Sequence, residues 1–314
     1  MAIALVVGAN GQDGTFLVRH LLAKQYRVAG LGRQERSRWE IASTSFTYHK
    51  ADLNEAGELS RILEAVEPDL IFHVAAVHTS AGGGYETVFD SVLRVNVASV
   101  HTILEYMRKS GRARLCYASS AKVFGSPLPE RIDERTQLKS QCLYSISKNA
   151  AFHLIEFYRN THGVNASVVH LFNHESELRP QHFFIPKLVR ALALALADEK
   201  HVSELNTLDF HCDWGSADEY MQIVLAILET GGSDDFVLAT GESIHARELA
   251  RRLFAQFGLD HARHIRERST AAGTGQGPYR VDLSRLKERI HRAPRVNIET
   301  VCSQILRINF NLPA

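Results

Sequence analysis

The chain has 314 residues, of which 23% are charged, and its net charge at neutral pH is +1. Charges of both signs are dispersed along the sequence, which argues against nucleic acid or a membrane surface as a partner. This length accommodates one large α/β domain or two interleaved lobes with an ample apolar core.

The cysteines and the N-terminus indicate a cellular compartment. No CxxC pair occurs among Cys116, Cys142, Cys212 and Cys302. This usage predicts reduced thiols in a cytoplasmic protein, without a disulfide framework and without a metal site. The N-terminal stretch MAIALVVGANG is too short for a signal peptide or a membrane span, so it predicts a buried first strand.

Strand-like and helix-like segments alternate over the first 172 residues. Strands are predicted at 3–7, 26–31, 46–52, 69–76, 114–119 and 166–172, and helices at 14–25, 55–66, 86–109 and 144–161. Apolar strands separated by helices are typical of βαβ units in a parallel sheet, so the pattern predicts an α/β fold. A later helix is predicted over 185–199, because leucines recur there at every fourth residue. The glycine-rich tract AAGTGQG (271–277) predicts a loop.

A glycine motif directly follows the first predicted strand and opens the first helix. Glycines at this junction allow a tight turn, and the helix N-terminus offers free N–H groups to a pyrophosphate. The GxxGxxG spacing is similar to that of extended short-chain dehydrogenases/reductases. The residues predicted to bind the dinucleotide here are Gly8, Asn10, Gly11, Gln12, Asp13 and Gly14.

The end of the second strand bears on the choice of dinucleotide. NAD enzymes usually place an acidic residue there to hold the ribose, whereas this chain has Gly32 followed by Arg33, Arg36 and Arg38. The arginines predict NADP rather than NAD, with Arg33 at the 2′-phosphate, although solvated surface arginines would give the same pattern. By similarity to the superfamily, Asp52, Leu53 and Ala75 also join the cofactor site.

A second group of candidate site residues contains Tyr144 and Lys148, together with Ser119 and Ser120 at the end of a predicted strand. Four residues separate the tyrosine from the lysine, so both lie on one face of a helix. The charge of the lysine lowers the pKa of a neighbouring phenol. Tyr144 is therefore predicted to exchange a proton with a sugar oxygen while a hydride moves, with Ser120 and Lys148 as its catalytic partners.

Three later segments carry a family resemblance: LFNHES (171–176), DWG (213–215) and DFVLATGE (235–242). With GANGQDGTFL (8–17), they resemble the GDP-mannose 4,6-dehydratase family over nearly the whole chain. The resemblance implies a Rossmann-type doubly wound parallel sheet in an NADP-binding domain, residues 1–172 plus about 209–239. It also implies a smaller interleaved C-terminal α/β lobe for a nucleotide-diphosphate sugar, about 173–208 plus 240–314.

The same resemblance implies a homodimer built on the helices near 86–109 and 144–161. The apolar positions Ala150, Ala151, Leu154, Ile155 and Tyr158 give the second helix a wide apolar face that fits this expectation. The residues assigned to the substrate are Asn173, His174, Glu175, Ser176, Arg179 and Arg280. Without the family, Asn173 and His174 could equally cap a strand end.

The chain departs from the family pattern at three places. Where the family has Ser-Thr-Ser-Glu, this chain has Ser119-Ser120-Ala121-Lys122, so Lys122 replaces the glutamate that removes the C5 proton and assists the loss of water. Cys212 stands where the family has an arginine before Asp-Trp-Gly. The later arginine segment is shortened to GPYRVDLSRL, with Arg280 as the nearest substitute. The last two changes bear on guanosine recognition.

Lys122 decides the predicted reaction. A free lysine has a pKa of about 10.4 and is a cation at neutral pH, so it cannot serve as a base unless its pKa falls. The sequence therefore predicts an NADP-dependent 4-ketoreductase of a GDP-4-keto-6-deoxy sugar, in which Lys122 is inert or holds a substrate group. The alternatives are a dehydratase or epimerase that uses another base, which includes a tuned Lys122, and a non-catalytic NADP-sensing protein.

Overall fold

The computed structural model describes residues 1–38, 43–78, 86–268 and 275–312. The strands are β1 (Ile3–Val7), β2 (Arg27–Gly32), β3 (Phe46–Lys50), β4 (Leu70–His73), β5 (Arg114–Ser120), β6 (Arg131–Ile132), β7 (Ala166–Leu171), β8 (Asn173–Glu175), β9 (Ser203–Leu205), β10 (His211–Cys212), β11 (Trp214–Ser216), β12 (Phe236–Leu238), β13 (Ile244–His245), β14 (Ile265–Glu267) and β15 (Arg280–Val281). The helices are α1 (Gln12–Ala23), α2 (Glu58–Val66), α3 (Phe89–Leu93), α4 (Ser99–Ser110), α5 (Leu143–His162), α6 (Phe184–Ala197), α7 (Ala217–Glu229), α8 (Ala246–Ala255), α9 (His261–His264), α10 (Ser284–Ile290) and α11 (Ile298–Phe310).

Seven of the strands form one parallel sheet, in the order β12-β7-β5-β4-β1-β2-β3. One apolar cluster joins a face of this sheet to α1, α7 and α10, and a second joins the other face to α2, α4 and α5. The central strands are mostly apolar because both of their faces are covered. This arrangement confirms the predicted α/β fold of the doubly wound Rossmann type. It also brings the carboxyl ends of β1, β4 and β5 to one edge.

Several predicted segments have different bounds in the structure. The third and fourth strands end earlier than predicted, at Lys50 and His73, because their pairing partners β2 and β1 end opposite these residues. The predicted helix 55–66 begins only at Glu58, after Gly57 with its φ of +85°. The predicted helix 86–109 is interrupted. It starts as a 3₁₀ turn and contains a π-helical turn over Arg94–Ala98, between α3 and α4.

The C-terminal half adds a separate apolar cluster, built on α6, α8 and α11. Four two-stranded pairings accompany it: β8 with β11, β9 with β14, β6 with β15, and β10 with β13. The exact boundaries of the two predicted domains stay a prediction. Within the described part of the chain, no helix has both the length and the apolar character needed to cross a membrane. Residues 271–274 of the predicted loop lie outside the described residues.

Candidate active site

The turn between β1 and α1 accepts only glycine at two positions. Gly8 has a φ of +101°, and a Cβ on it would lie 2.8 Å from the backbone nitrogen of Ala75. A Cβ on Gly14 would lie 2.2 Å from the carbonyl oxygen of Gly8, so this glycine lets α1 pack against the turn. Gly11 is exposed and begins α1 without a side-chain cap, which leaves the first helical N–H groups to an anion. The turn thus fits the pyrophosphate of a dinucleotide.

Asn10 organises the loop that follows β2. Its amide nitrogen donates to the side chain of Gln34, the carbonyl oxygen of Arg36 and the hydroxyl of Tyr48 at 3.0–3.1 Å. Its amide oxygen accepts from the backbone nitrogen of Arg38 at 2.8 Å. The contribution of Asn10 to the predicted cofactor site is therefore to hold this arginine-bearing loop.

The loop presents positive charge at the end of β2. Arg33 and Arg36 are exposed, and within the described ranges neither guanidinium forms an ion pair. Glu35, the one acidic residue of the loop, pairs instead with Lys50 of β3. A Cβ on Gly32 would lie 2.8 Å from the Tyr48 hydroxyl, so no acidic side chain fits at this position without displacing the tyrosine. These features are those expected of a site for a 2′-phosphate.

The other predicted cofactor residues line the same edge of the sheet. The backbone nitrogen of Ala75 donates to the carbonyl oxygen of Val7 at 2.9 Å, directly beside the glycine turn. Asp52 follows β3 and accepts from both nitrogens of Asn54 at 2.8–2.9 Å, and Leu53 packs against the apolar cluster. Their role toward a cofactor stays a prediction.

Tyr144 and Lys148 lie one turn apart on α5, and both are buried. The Lys148 ammonium donates to the carbonyl oxygen of Ala118 in β5 at 2.7 Å. It lies 5.7 Å from the ring centre of Tyr144 and 4.6 Å from that of Tyr117. Burial lowers the pKa of Lys148 to about 7, while Asp13 opposes this shift. The lysine is thus fixed beside the tyrosine, as the predicted catalytic pair requires.

Ser120 and Lys122 mark the end of β5. The hydroxyl of Ser120 accepts from the backbone nitrogen of Lys122 at 3.3 Å and caps the short 3₁₀ turn Ala121–Phe124. This turn packs against α5, which carries Tyr144. The Lys122 side chain is exposed, and in the part of the chain that the structure describes no carboxylate pairs with it.

Asn96 is a buried residue of the site that the sequence analysis missed. It lies in the π-helical turn, and its side-chain amide binds both backbone polar atoms of Val77, with distances of 2.9 and 3.3 Å. The same amide donates to the Ser147 hydroxyl at 2.9 Å, and that hydroxyl donates to the carbonyl oxygen of Tyr144 at 2.8 Å. One buried amide thus fixes the chain after β4 relative to α5. An asparagine inside a predicted helix was the available signal, since asparagine is a poor helix former.

His78 is a second missed residue. It follows β4, and its ring meets the Tyr144 ring at right angles, with the ring centres 4.6 Å apart. The Phe183 ring stacks on it at 6.3 Å, and the guanidinium of Arg179 lies 3.7 Å from the centre of Phe183. Desolvation, together with the positive charges of Lys122, Arg179, Lys148 and His182, lowers the pKa of His78 to about 4. The imidazole is therefore neutral at physiological pH.

Two of the predicted substrate residues are held by the glycine-turn helix. The His174 ring contacts the Asp13 carboxylate through Nε2 at 3.0 Å and the carbonyl oxygen of Phe172 through Nδ1 at 2.7 Å. The Ser176 hydroxyl donates to the side chain of Gln12 at 2.8 Å, and Gln12 donates to the backbone of His174 at 3.2 Å. These side chains thus connect the predicted cofactor site to the predicted substrate lobe, and their contact with a substrate stays a prediction.

The remaining predicted substrate residues lie at three separate places in the structure. Glu175 is buried and lies 3.4 Å from Arg179, and burial raises its pKa to about 7. Asn173 is exposed, and its amide contacts the Cys212 thiol, the residue that replaces the family arginine. Arg280 has a side chain that is 79% exposed and lines an open cleft of about 500 Å³, which includes none of the other predicted site residues. The shortened segment thus places Arg280 apart from the tyrosine, and its substrate role stays a prediction.

Comparison with known sequences places the chain among the relatives of the GDP-mannose 4,6-dehydratases. The family model for GDP-mannose 4,6 dehydratase matches residues 5–304. GDP-mannose 4,6 dehydratase 1 of Arabidopsis thaliana is 30% identical over 323 residues, which cover 97% of this chain and 88% of the relative. The GDP-mannose 4,6-dehydratase sdnI of Sordaria araneosa is 30% identical over 289 residues, 89% of this chain. The chain spans about half the length of that second relative, 53%.

Solved structures with the same fold include nucleotide-sugar enzymes. The dTDP-glucose 4,6-dehydratase of Bacillus anthracis, in complex with NAD, superposes with a TM-score of 0.83 at 18% identity and covers 99% of this chain and 97% of its own. The UDP-glucose 4-epimerase of Thermotoga maritima, with UDP-glucose, has a TM-score of 0.81 at 17% identity and covers 98% and 99%. At this level of identity, the superpositions establish the fold alone.

Proposed function

Because the chain belongs to the GDP-mannose 4,6-dehydratase family, we propose that it is an NADP(H)-dependent oxidoreductase that reduces the C4 carbonyl of a GDP-4-keto-6-deoxy sugar. The proposal is carried by the end of β5, where Lys122 is exposed in the turn Ala121–Phe124. The family resemblance implies that a carboxylate base stands at this position in the relatives. A ketoreductase does not need that base. It uses the tyrosine, the lysine and the serine that this chain retains.

The retained side chains have separable roles. Tyr144 donates its phenolic proton to the carbonyl oxygen as this oxygen gains negative charge, and Ser120 hydrogen-bonds to the same oxygen. Lys148 is held beside the tyrosine by its bond to Ala118, where its charge favours the phenolate that remains. A bound nicotinamide supplies the hydride.

The charges around the site favour an anionic substrate. Lys122, Arg179 and Lys148 act on His78 as positive groups. A nucleotide diphosphate carries the complementary charge. The preference for NADP(H) rests on Arg33 and its neighbours, which are presented by Asn10, while the paired Glu35 is turned to Lys50. Both assignments are part of the proposal.

A homodimer is the proposed assembly, although not through all of the residues named from the sequence. Ala151, Ile155 and Tyr158 are buried against the chain's own sheet. The apolar side chains that remain exposed on α5 are Ile146 at 47% and Phe157 at 52%. On α3, which packs against α5, Phe89 and Leu93 are 39% and 37% exposed. The two pairs give neighbouring apolar stripes that a second copy of the chain can cover.

Product analysis tests the proposed reaction. The purified protein is given GDP-4-keto-6-deoxymannose with NADPH, and separately GDP-mannose with NADP. We expect NADPH consumption and a reduced 6-deoxy sugar in the first reaction, and no loss of water in the second. Tyr144→Phe should lower the rate of reduction by about 10²-fold or more, because the proton donor is removed.

The same assays distinguish the alternative functions. A 4-keto-6-deoxy product formed from GDP-mannose without net NADPH consumption would identify a dehydratase. Inversion at C4 without net redox change would identify an epimerase. Binding of NADP(H) without turnover of any nucleotide sugar would identify a sensing protein. Each of these results would replace the reductase assignment.

A further inference from the structure

His78 lies where a group can reach the carbon atoms beside the sugar carbonyl. It follows β4 at the sheet edge where β5 ends in Ser120, since β4 and β5 run parallel and pair up to His73 and Tyr117. Its ring contacts that of Tyr144 at 4.6 Å and is exposed, so a ligand bound at Tyr144 has access to it. C3, a carbon next to the C4 carbonyl, is two bonds away from the carbonyl oxygen to which the tyrosine donates its proton.

The position of His78 is fixed by its surroundings. The preceding residue, Val77, is bound at both its nitrogen and its oxygen by the buried Asn96 amide. The same amide connects through Ser147 to the backbone of Tyr144. The Phe183 ring stacks on the imidazole. The position of His78 relative to Tyr144 is therefore set by the hydrogen bonds of the preceding residue and by the stacked phenylalanine.

Its chemistry suits a proton acceptor. Desolvation is the largest cause that lowers the pKa of His78, to about 4, and the positive charges of Lys122, Arg179 and Lys148 add to it and favour the neutral imidazole. The carboxyl group of a glutamate ordinarily has a pKa of about 4.3. The neutral imidazole thus has nearly the basicity of the carboxylate that this chain lacks at Lys122.

We propose that His78 is the base that removes and returns the proton on C3, next to the C4 carbonyl, of the bound 4-keto nucleotide sugar. An imidazole nitrogen accepts the proton from C3, and the C–H electron pair becomes a C=C bond between C3 and C4. The carbonyl electrons move to the oxygen, which the Tyr144 hydroxyl stabilises. Return of a proton from the imidazolium to the same carbon restores the ketone, so no oxidant or reductant is consumed. The proposal rests on the proposed function only in placing C4 at Tyr144.

Solvent exchange tests this without any redox step. The full chain is incubated in D₂O with GDP-4-keto-6-deoxymannose and no NADPH, and the recovered nucleotide sugar is analysed by mass spectrometry. We expect deuterium at a ring carbon well above the enzyme-free control. His78→Gln should slow this exchange by about 10²-fold or more, and His78→Glu should retain it, since it restores a base of similar strength.

Two controls separate the proposed role from damage to the site. His20→Gln removes an imidazole of α1 that pairs with Asp218, and should leave exchange unchanged. Affinity for NADP(H), measured by protein fluorescence, should be equal in wild type and His78→Gln. Exchange by wild type at the enzyme-free rate, or undiminished exchange by His78→Gln, would overturn the proposal.

The outcome is independent of the reductase assignment. Exchange without NADPH-dependent reduction of the same compound supports the role of His78 while it removes the proposed reductase function. Reduction without exchange removes the role of His78 alone.

Discussion

Asp13 and His174 form a largely buried ion pair across 161 residues of sequence, with Oδ1 and Nε2 3.0 Å apart. Asp13 lies in the first turn of α1, which follows the glycine turn, and His174 lies in β8. The contact therefore joins the predicted dinucleotide site to the segment predicted to bind the sugar. Although burial opposes both charges, each partner favours the other, so the pKa of His174 is raised and that of Asp13 is lowered.

The ion pair predicts a pH-dependent contribution to stability. The contribution of Asp13 is present above its unfolded pKa of about 3.9 and is lost as pH falls through its lowered folded value. That of His174 is present below its unfolded pKa of about 6.5 and is lost as pH rises through its raised folded value. His174→Gln should therefore reduce the free energy of unfolding most at about pH 6, by about 3 kcal/mol, and less at about pH 9.

Chemical denaturation at several pH values measures this effect. His20→Gln is the matched control, because it removes the partly exposed pair with Asp218 and should cost at most about 1 kcal/mol. If His174→Gln lowers the free energy of unfolding by the same amount at acid and at alkaline pH, the ion pair does not cause the pH dependence.

The sequence predicted those features that depend on local pattern. The parallel sheet follows from apolar strands alternating with amphipathic helices, and the glycine turn follows from its place between a strand and a helix. The Asp13–His174 pair and the edge contact of His78 with Tyr144 could not be predicted in this way, because they join residues distant in sequence. The π-helical turn that contains the buried Asn96 could not be predicted from the sequence either, since it depends on tertiary hydrogen bonds to Val77 and Ser147.

The buried Lys148 is expected to support activity at the expense of stability. Its folded pKa of about 7 lies below the unfolded value, so the buried ammonium costs stability at low pH, and this cost disappears as pH rises towards about 10. Lys148→Met should abolish reduction and yet raise the free energy of unfolding at neutral pH by about 1 kcal/mol or more. Thermal unfolding and turnover are measured together. Lys122→Met, at an exposed position, should change stability by less than about 0.5 kcal/mol. A strongly destabilised Lys148→Met would contradict the expected sign.

The loop after β2 predicts cofactor preference. NADPH should bind several-fold more tightly than NADH, and Arg33→Ala should weaken NADPH by about tenfold while leaving NADH unchanged, because only NADPH carries the 2′-phosphate. Fluorescence titration of both cofactors gives the two affinities. Arg61→Ala, which removes an exposed arginine on α2, serves as the control. Equal affinities for both cofactors in the wild type would exclude the assignment to NADP.

The exposed apolar stripes predict a dimer that one charge can dissociate. Phe157→Glu places a carboxylate in the proposed interface, where it would be desolvated without a partner, so the variant should sediment as a monomer. Ile308→Glu makes a comparable change on α11, at a side chain that is 51% exposed, and should remain dimeric. A wild-type protein that sediments as a monomer at all concentrations would leave these stripes without the proposed partner.

Substitution of Lys122 by glutamate is expected to add a dehydration activity. The wild type should not release water from GDP-mannose, because the exposed ammonium at the end of β5 cannot accept the C5 proton at neutral pH. Lys122→Glu restores the family's carboxylate and should produce a detectable 4-keto-6-deoxy product, since a positioned base contributes about 10²- to 10⁴-fold to the rate. Lys139→Glu introduces the same charge change at another exposed lysine and should not. Mass spectrometry of the nucleotide sugars detects the product in each case. Robust dehydration by the wild type would mean that another group, such as His78 beside Tyr144, already serves as the base.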